Sequence, residues 1–191
     1  MSKAAGRPRD TNVDERISRA ALELLREHGP EAVHIDAVAT RSGVARTTIY
    51  RRHRNREALL AATLAQLPEE PLPAADLPVE AKVRWLLDQM GQLVEVQFGR
   101  GAIASVLSGS DPVFSAALRA RLRVRFEALQ HELDMDIAEG RVRRGADADV
   151  LAGVAFGAYV GELLQHGRPR PHWADGVTDL LLRGLEEPPA P

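Results

Sequence analysis

Residues 35–60, IDAVATRSGVARTTIYRRHRNREALL, combine two short helical patterns with a turn between them. Apolar side chains recur at helical spacing on both sides of Gly43. Glycine readily takes the left-handed conformation at which a helix ends. The spacing therefore predicts two short helices, 35–41 and 45–52, joined by a tight turn at Gly43, and this is the layout of a helix-turn-helix.

The second of these helices carries polar side chains that suit the reading of DNA bases. Val44 and Ile49 are expected to face the core, which leaves the polar positions between them outward. Arginine can reach the O6 and N7 atoms of guanine, and threonine can meet a thymine methyl group or a base acceptor. The residues predicted to contact base edges in a major groove are Arg46, Thr47, Thr48 and Arg51.

Further cationic side chains surround the predicted helix-turn-helix. Residues 1–60 carry 12 basic and 8 acidic groups, whereas residues 61–191 carry 13 and 19, so the positive charge is concentrated in the first third. Release of counterions favours the binding of such cations to phosphates. The arginines predicted from this pattern to contact phosphates are Arg52, Arg54 and Arg56, with Arg7 and Arg9 on an N-terminal arm. Spacing alone leaves open that the helix pair arose by chance and that the arginines form a solvated face.

Residues 12–67 resemble the N-terminal domain of TetR-family transcriptional regulators. The likeness is carried above all by GVARTTIY at residues 43–50 and NREALL at residues 55–60. It implies that residues 45–52 form the recognition helix, that the Tyr50 hydroxyl contacts a phosphate, and that Arg56 contacts another.

The chain departs from the usual family pattern at three positions. His53 stands where Phe or Trp is customary, Ala45 where a capping residue is common, and His34 where Ser or Thr is common. The change at His53 puts in doubt how the recognition helix is wedged against the next helix. The other two are expected to weaken helix caps that contribute about 1 kcal/mol each.

The remainder of the chain is also expected to be helical, because its apolar content favours Ala and Leu and no segment alternates with period two. The segment PEEPLPAADLP, residues 68–78, holds four prolines and cannot be a helix interior. We therefore predict an all-α protein of about nine helices, with Asn55 and Asp111 as caps. The expected parts are a flexible basic arm (1–11), a helix-turn-helix DNA-binding domain whose last helix connects onward (12–67), a Pro-rich junction (68–78), a helical ligand-binding and dimerisation domain (79–185), and a disordered tail (186–191).

A regulator of this kind must present two recognition helices about 34 Å apart, or a multiple of that distance, so it needs a two-fold dimer. Glycines recur every four residues in 150–164, which leaves one helix face nearly bare; close packing within the chain is the alternative interpretation. The family dimerises through its last two long helices, which favours an interface. The predicted interface residues are Gly153, Val154, Gly157, Gly161, Leu164, Trp173, Val177 and Leu181.

The resemblance also implies a ligand cavity inside helices five to eight. Few buried charges are expected there, which favours a small, largely apolar effector. Each residue of the set could instead be ordinary core, because an apolar stripe is the usual way in which a helix packs. The predicted pocket residues are Trp85, Gln89, Met90, Leu93, Phe98, Ile103, Leu107, Phe114, Leu118, Leu122, Phe126, Phe156 and Tyr159.

Other classes of protein find little support in the sequence. The absence of cysteine excludes disulfide scaffolds, thiolate metal sites and cysteine nucleophiles. The longest apolar run, 150–161, is short of the roughly 20 residues that a membrane-spanning helix needs, so we expect a cytoplasmic protein without membrane contact. No phosphate-binding, zinc-protease or hydrolase motif is present, so no enzyme, metal or cofactor is expected. A helical enzyme or metal-binding protein around His131, Asp134 and Asp136 is kept as an alternative.

The sequence thus predicts a dimeric repressor that binds a palindromic DNA operator and is released from it by a small molecule. Release would follow from preferential binding of the effector to a conformation whose two reading heads are wrongly spaced. A regulator that needs no effector, or an activator, is the alternative that the sequence leaves open.

Overall fold

A computed structural model describes residues 11–185, except the side chain of Thr11, and within this range the chain is helical with no β-strand. This confirms the all-α prediction and the number of helices. A 3-10 turn, Pro30–Ala32, follows the first helix, and a π-helix, Gln92–Phe98, extends the fifth. Residues 11–185 form nine α-helices: α1 (Thr11–His28), α2 (Ile35–Ser42), α3 (Arg46–Arg52), α4 (Arg56–Ala65), α5 (Val79–Gly91), α6 (Arg100–Ser108), α7 (Pro112–Ala138), α8 (Ala148–His166) and α9 (Trp173–Leu185).

The chain divides into two compact units. The first combines the residues up to Leu67 with 98–118, and the second combines 68–97 with the residues from Arg119 onward. This division differs from the predicted domains, which kept 79–185 together. The physical reason is that Phe98 and Phe114 are almost fully buried and that α6, which lies between them in the chain, packs against α1. Helix α7 is continuous, with its first turns in the first unit and the rest in the second.

In the first unit, α1 packs against α2, α4 and α6. The start of α6 lies very close to the end of α1. Gly99 has φ +77°, and a Cβ atom there would lie 2.9 Å from the carbonyl oxygen of Arg26. Glycine is therefore required at this position both by its backbone conformation and by the close approach. Ile17, Leu25 and Ile49 are among the apolar side chains buried in this unit.

In the second unit, α5 packs against α8 and α9. The ring of Tyr159 on α8 meets that of Trp173 on α9 edge to face, with centroids 5.5 Å apart. None of the helices within residues 11–185 combines the length and the hydropathy that crossing a membrane requires.

The predicted caps at Asn55 and Asp111 are confirmed. Asn55 Oδ1 accepts the Ala58 N–H at 2.8 Å, and Asp111 Oδ1 accepts the Phe114 N–H at 2.9 Å. Ala45 forms no side-chain cap, as expected. The prediction that His34 weakens the cap of α2 was wrong, because His34 itself provides a capping hydrogen bond. The Nδ1 atom of His34 accepts the Ala37 N–H at 3.3 Å, so an imidazole replaces the usual hydroxyl as the cap of α2.

Candidate nucleic-acid interface

The turn of the helix-turn-helix is formed at Gly43. Its φ of +65° and ψ of +20° place it in the left-handed region, and its N–H donates to Ala39 O at 3.0 Å. Arg16 on α1 donates to the carbonyl oxygen of Ser42 at 2.6 Å, and a Cβ atom on Gly43 would lie 3.1 Å from that guanidinium. The turn is therefore held by its own backbone conformation and by a contact from α1.

Helix α3 presents the predicted base-reading side chains on one outward face. Ile49 is fully buried and anchors the opposite face of the helix. The outward set comprises Arg46, Thr47, Tyr50 and Arg51, which are exposed, and Thr48, which is half-buried. Their contacts with DNA stay a prediction, and the structure gives them the placement that such contacts need.

The arginines of this region differ in what surrounds them. Arg46 forms an exposed ion pair with Asp36 at 2.9 Å, whereas Arg51 and Arg54 are exposed and form no ion pair among the described residues. Arg52 donates to both carboxylate oxygens of Asp14 at 2.7 and 2.9 Å, and its side chain is only 14% exposed. Of the predicted phosphate contacts in this region, Arg54 is thus free to meet one, and Arg52 is held by α1.

The position of Arg56 is at odds with the predicted phosphate contact. Its Nε donates to Val33 O at 2.9 Å, its Nη2 donates to Pro30 O at 2.6 Å, and its guanidinium is paired with Asp111. Asp111 is 5% exposed. The reason is tertiary: a buried carboxylate and two carbonyl oxygens within the first unit take up the donors that were assigned to DNA.

The partnership of Arg56 and Asp111 is reflected in the ionisation of the carboxyl group. Burial by itself raises the pKa of Asp111, but hydrogen bonds from the Arg56 guanidinium and from the Phe114 N–H outweigh it. The pKa of Asp111 therefore lies below its ordinary value. The carboxylate is charged at neutral pH, and Arg56 is its counterion.

His53 stands where the family customarily has Phe or Trp, and it lies half-buried at the end of α3. Its backbone N–H donates to Ile49 O at 2.8 Å. Burial lowers the pKa of its imidazole, against an opposing effect of the nearby Asp14 carboxylate. A neutral imidazole thus occupies the place of the aromatic wedge. The arm residues Arg7 and Arg9, predicted to contact phosphates, lie outside the described residues.

The comparisons with known proteins agree with this geometry. Residues 17–63 match the family model described as bacterial regulatory proteins of the tetR family. The chain is 26% identical over 198 residues to YdeS, an HTH-type transcriptional regulator of Bacillus subtilis. The alignment covers 97% of this chain and 91% of YdeS. Residues 17–63 are thus similar to the DNA-binding domain of TetR-family regulators, and nearly the whole chain is similar to an HTH-type transcriptional regulator.

Solved structures share the fold of this chain. A transcriptional regulator from Saccharomonospora viridis in complex with choline has a TM-score of 0.65 at 17% identity and covers 93% of this chain and all of that one. The FadR regulator from Bacillus subtilis in complex with stearoyl-CoA has a TM-score of 0.60 at 17% identity, with coverage of 90% and 99%. At these identities the likeness establishes the helical architecture.

The predicted ligand-pocket residues of the regulator do not form one site. Phe98 and Phe114 belong to the core of the first unit, and Leu107 is 67% exposed. Met90 and Tyr159 are buried in the second unit, where the Tyr159 hydroxyl donates to Glu95 at 3.1 Å. The set followed the apolar stripes of successive helices, and those stripes pack in two different units. The remaining members are Gln89, Leu93, Ile103, Leu122, Phe126 and Phe156, which are half-buried, and Leu118, which is buried.

A cavity in the second unit lies elsewhere, between α5, the second half of α7 and the start of α8. Of the predicted pocket residues Trp85 alone lines it. All but three of the lining residues are apolar, and the exceptions are Lys82, Glu132 and Asp136. No local sequence pattern indicates this arrangement, because Lys82 and Asp136 are 54 positions apart and each resembles an ordinary surface charge.

Four of the eight predicted dimer residues are exposed in the second unit: Gly153, Val154, Gly157 and Leu164. A Cβ atom on Gly153 or Gly157 would meet nothing within 4 Å, so these glycines do not serve close packing within the described protomer. Val154 and Leu164 on the same helix are 41% and 82% exposed. Trp173 and Val177 are half-buried, and the glycine at 161 has only a distant side-chain neighbour. Leu181 differs from the prediction, because it is 8% exposed and packs in the core of its own protomer.

The alternative catalytic or metal-binding group on α7 is held in other contacts. Both carboxylate oxygens of Asp136 accept from Lys82 Nζ, at 2.8 and 2.9 Å, and Arg141 donates to the same group. Gln130 donates to Asp134 Oδ1 at 2.8 Å. Asp136 therefore serves as the buried counterion of two cations.

Proposed function

We propose that the regulator is a homodimer that represses transcription from a palindromic operator and is released from it by a small, largely apolar effector. The observation that carries the DNA-binding part is the outward face of α3. Arg46, Thr47, Tyr50 and Arg51 stand exposed there, behind a turn that Arg16 holds in place. Arg51 and Arg54 meet no acidic partner in the described part of the chain, so phosphates can act as their counterions.

The dimer part of the proposal is supported by the open face of α8. Gly153 and Gly157 leave room for the close approach of a second helix, and the neighbouring Val154 and Leu164 expose apolar surface that a partner would cover. A two-fold dimer through this face would present two recognition helices to one operator.

The effector part is supported by the apolar cavity of the second unit and by the continuity of α7. That helix begins beside the Arg56–Asp111 pair and continues to Leu129 and Leu133, which line the cavity. An effector that prefers one arrangement of this helix would change operator affinity by the ratio of its affinities for the two states. The structural neighbours were solved with choline, stearoyl-CoA and triclosan, so ligands of several classes are bound by proteins of this fold.

The test begins with selection of bound fragments from random duplex DNA by the purified full chain. A palindromic consensus is the expected result, and sedimentation of the complex is expected to show two protomers per site. Recovery of no consensus would overturn the proposal. A metabolite panel added to the complex then tests release.

The dimer face has its own prediction. Gly157→Leu is expected to shift sedimentation from dimer to monomer, because the side chain blocks the close crossing of two α8 helices. The matched control is Ala138→Leu, which introduces the same side chain at an exposed position at the end of α7. Gly109 is not used as a control, because its φ of +68° would strain a leucine. A Gly157→Leu protein that sediments as an unchanged dimer would move the interface to another face.

A further inference from the structure

The cavity of the second unit encloses about 80 Å³, and about 610 Å³ when the empty space at its open mouth is counted. Its apolar wall includes Trp85, Leu86, Leu129, Leu133 and Leu151. An enclosed cavity of roughly 150 Å³ holds a benzene molecule, so this one admits a slender apolar group and leaves any bulkier part of a ligand at the mouth.

The two cations that contact Asp136, Lys82 and Arg141, are already engaged by that carboxylate and its neighbours. Lys82 Nζ donates to both carboxylate oxygens of Asp136, at 2.8 and 2.9 Å, and to Ala75 O at 2.9 Å, which uses all three of its protons. Arg141 donates to Asp136 Oδ1 through Nε and Nη2 at 2.9 and 2.5 Å, and its Nη1 is paired with Glu139. A carboxylate or phosphate entering the cavity would therefore have to displace a buried carboxylate that already holds these donors.

Glu132 is the one lining ionisable residue that is left without a counterion. It is half-buried on α7, one helical turn before Asp136, and within the described residues it forms no hydrogen bond or ion pair. A carboxylate beside apolar surface attracts a cation more strongly than one in open water, because the local dielectric constant is lower.

Trp85 contributes to the apolar wall, and its ring already contacts a cation of the protein itself. The guanidinium of Arg125 lies 5.1 Å from the ring centroid, so this cation–π interaction is made within the chain and is not assigned to the ligand. The cavity thus combines apolar walls with an unpaired carboxylate.

We propose that this cavity binds an organic cation, a slender apolar chain that carries a single ammonium group. The apolar part of the ligand lies among the leucines of α5 and α7, and its ammonium group lies at the mouth of the cavity beside the Glu132 carboxylate. The proposal assigns a ligand class to the effector of the proposed function. It depends on the proposed function only for the effect of the ligand on DNA binding, because binding of the ligand itself needs no operator.

The experiment is isothermal titration calorimetry on the full chain with three probes of equal chain length: hexyltrimethylammonium, hexanol and hexanoate. The cation is expected to bind about tenfold more tightly than hexanoate, with hexanol between them, because one carboxylate at a half-exposed site contributes a modest Coulomb attraction. Leu129→Trp, which fills the cavity, is expected to abolish binding of all three probes.

The charge is isolated by a matched pair of variants on α7. Glu132→Gln is expected to lower the affinity for the cation about fivefold and to leave that for hexanol unchanged. Glu127→Gln makes the same chemical change at an exposed position that does not line the cavity, and is expected to leave both affinities unchanged.

Three results would overturn the inference: hexanoate binding as tightly as the cation, an equal effect of the two glutamine variants, or binding of none of the probes. Selection of a palindromic operator together with any of these would overturn the ligand class and leave the proposed DNA-binding function standing. Cation binding without any effect on the operator complex would overturn the effector role and leave the site standing.

Discussion

The α3 region of the first unit and the cavity of the second unit differ in what surrounds their cations. In the first, Arg51 and Arg54 stand exposed and without an acidic partner among the described residues. In the second, Lys82 and Arg141 lie against the buried Asp136, so that their charge is neutralised beside the cavity. The exposed arginines suit a polyanion, whereas Lys82 and Arg141 are engaged by a carboxylate of the protein. Whether a cation is free or paired thus separates the proposed DNA-binding surface from the proposed ligand cavity.

The largest effect is expected from removal of the buried counterion Asp136 in the second unit. Asp136→Ala leaves Lys82, whose side chain is 12% exposed, without its carboxylate, and is expected to lower the free energy of unfolding by about 3 kcal/mol. Urea unfolding measures the loss. Asp134→Ala, at an exposed position on the same helix, is the control and is expected to change stability by less than about 0.5 kcal/mol. Equal effects of the two variants would contradict a structural role for the Asp136 cluster.

The pair of Arg56 and Asp111 tests which cations of the first unit are free. Arg56→Ala leaves Asp111 buried without its main partner and is expected to cost about 2 kcal/mol of stability. A double-mutant cycle with Asp111→Asn in urea unfolding measures the coupling.

The same variant separates the internal role of Arg56 from the phosphate contact that the sequence predicts. With an internal role, the folded Arg56→Ala protein keeps the salt dependence of DNA binding. A fall of about 0.9 in the slope of log affinity against log salt would instead assign Arg56 to a phosphate.

Two substitutions distinguish the proposed base contact of Arg46 from the proposed phosphate contact of Arg54. Arg46→Ala is expected to reduce discrimination between the selected operator and a scrambled duplex by about 1.5 kcal/mol. Arg54→Ala is expected to weaken both duplexes alike and to lower the salt slope by about 0.9. Fluorescence anisotropy at several salt concentrations measures both quantities. Arg144→Ala, an exposed arginine of the second unit, is the control, and identical behaviour of Arg46→Ala and Arg54→Ala would defeat the assignment.

The smallest expected effect is the pH dependence that His53 confers. Burial lowers the pKa of its imidazole in the folded protein below the value of about 6.5 that it has when unfolded. Its contribution to stability is therefore fully present above pH 6.5 and is lost as the pH falls from there through the lower pKa of the folded state, because the unfolded state binds the proton more readily.

His53→Phe, which restores the customary aromatic residue, is expected to make the free energy of unfolding less dependent on pH between 7 and 5. Urea unfolding at each pH provides the measurement. His131→Gln removes an exposed imidazole and is expected to leave the pH dependence as it is in the unmodified protein. An unchanged slope in His53→Phe would mean that its imidazole is not the group responsible.

Much of the first unit could be predicted from the residues alone. The boundaries of α2 and α3, the left-handed Gly43 and the caps at Asn55 and Asp111 depend on contacts within about four positions of the chain, which a local pattern records. The buried position of Ile49 and the outward positions of Arg46 and Tyr50 follow from the same helical period.

The predicted pocket fared differently, because an apolar stripe shows that a helix face is buried and not what covers it. Phe98 and Phe114 follow the same pattern as the apolar residues of α5, yet they pack in the other unit. His34 shows the converse: an unusual residue performs the ordinary capping task, since an imidazole nitrogen accepts a hydrogen bond as a hydroxyl does.

Amino-acid order was enough for the helices, the turn and the side chains that α3 turns to solvent, because each depends on neighbours along one helix. It could not assign partners to the charges. Arg56 finds Asp111 at a separation of 55 positions, and Lys82 finds Asp136 at 54. Only the packing of distant helices brings these groups together. Among the described residues, that packing leaves Arg54 without an ion pair on the proposed DNA-binding surface, holds Arg56 inside the first unit, and leaves Glu132 unpaired at the cavity.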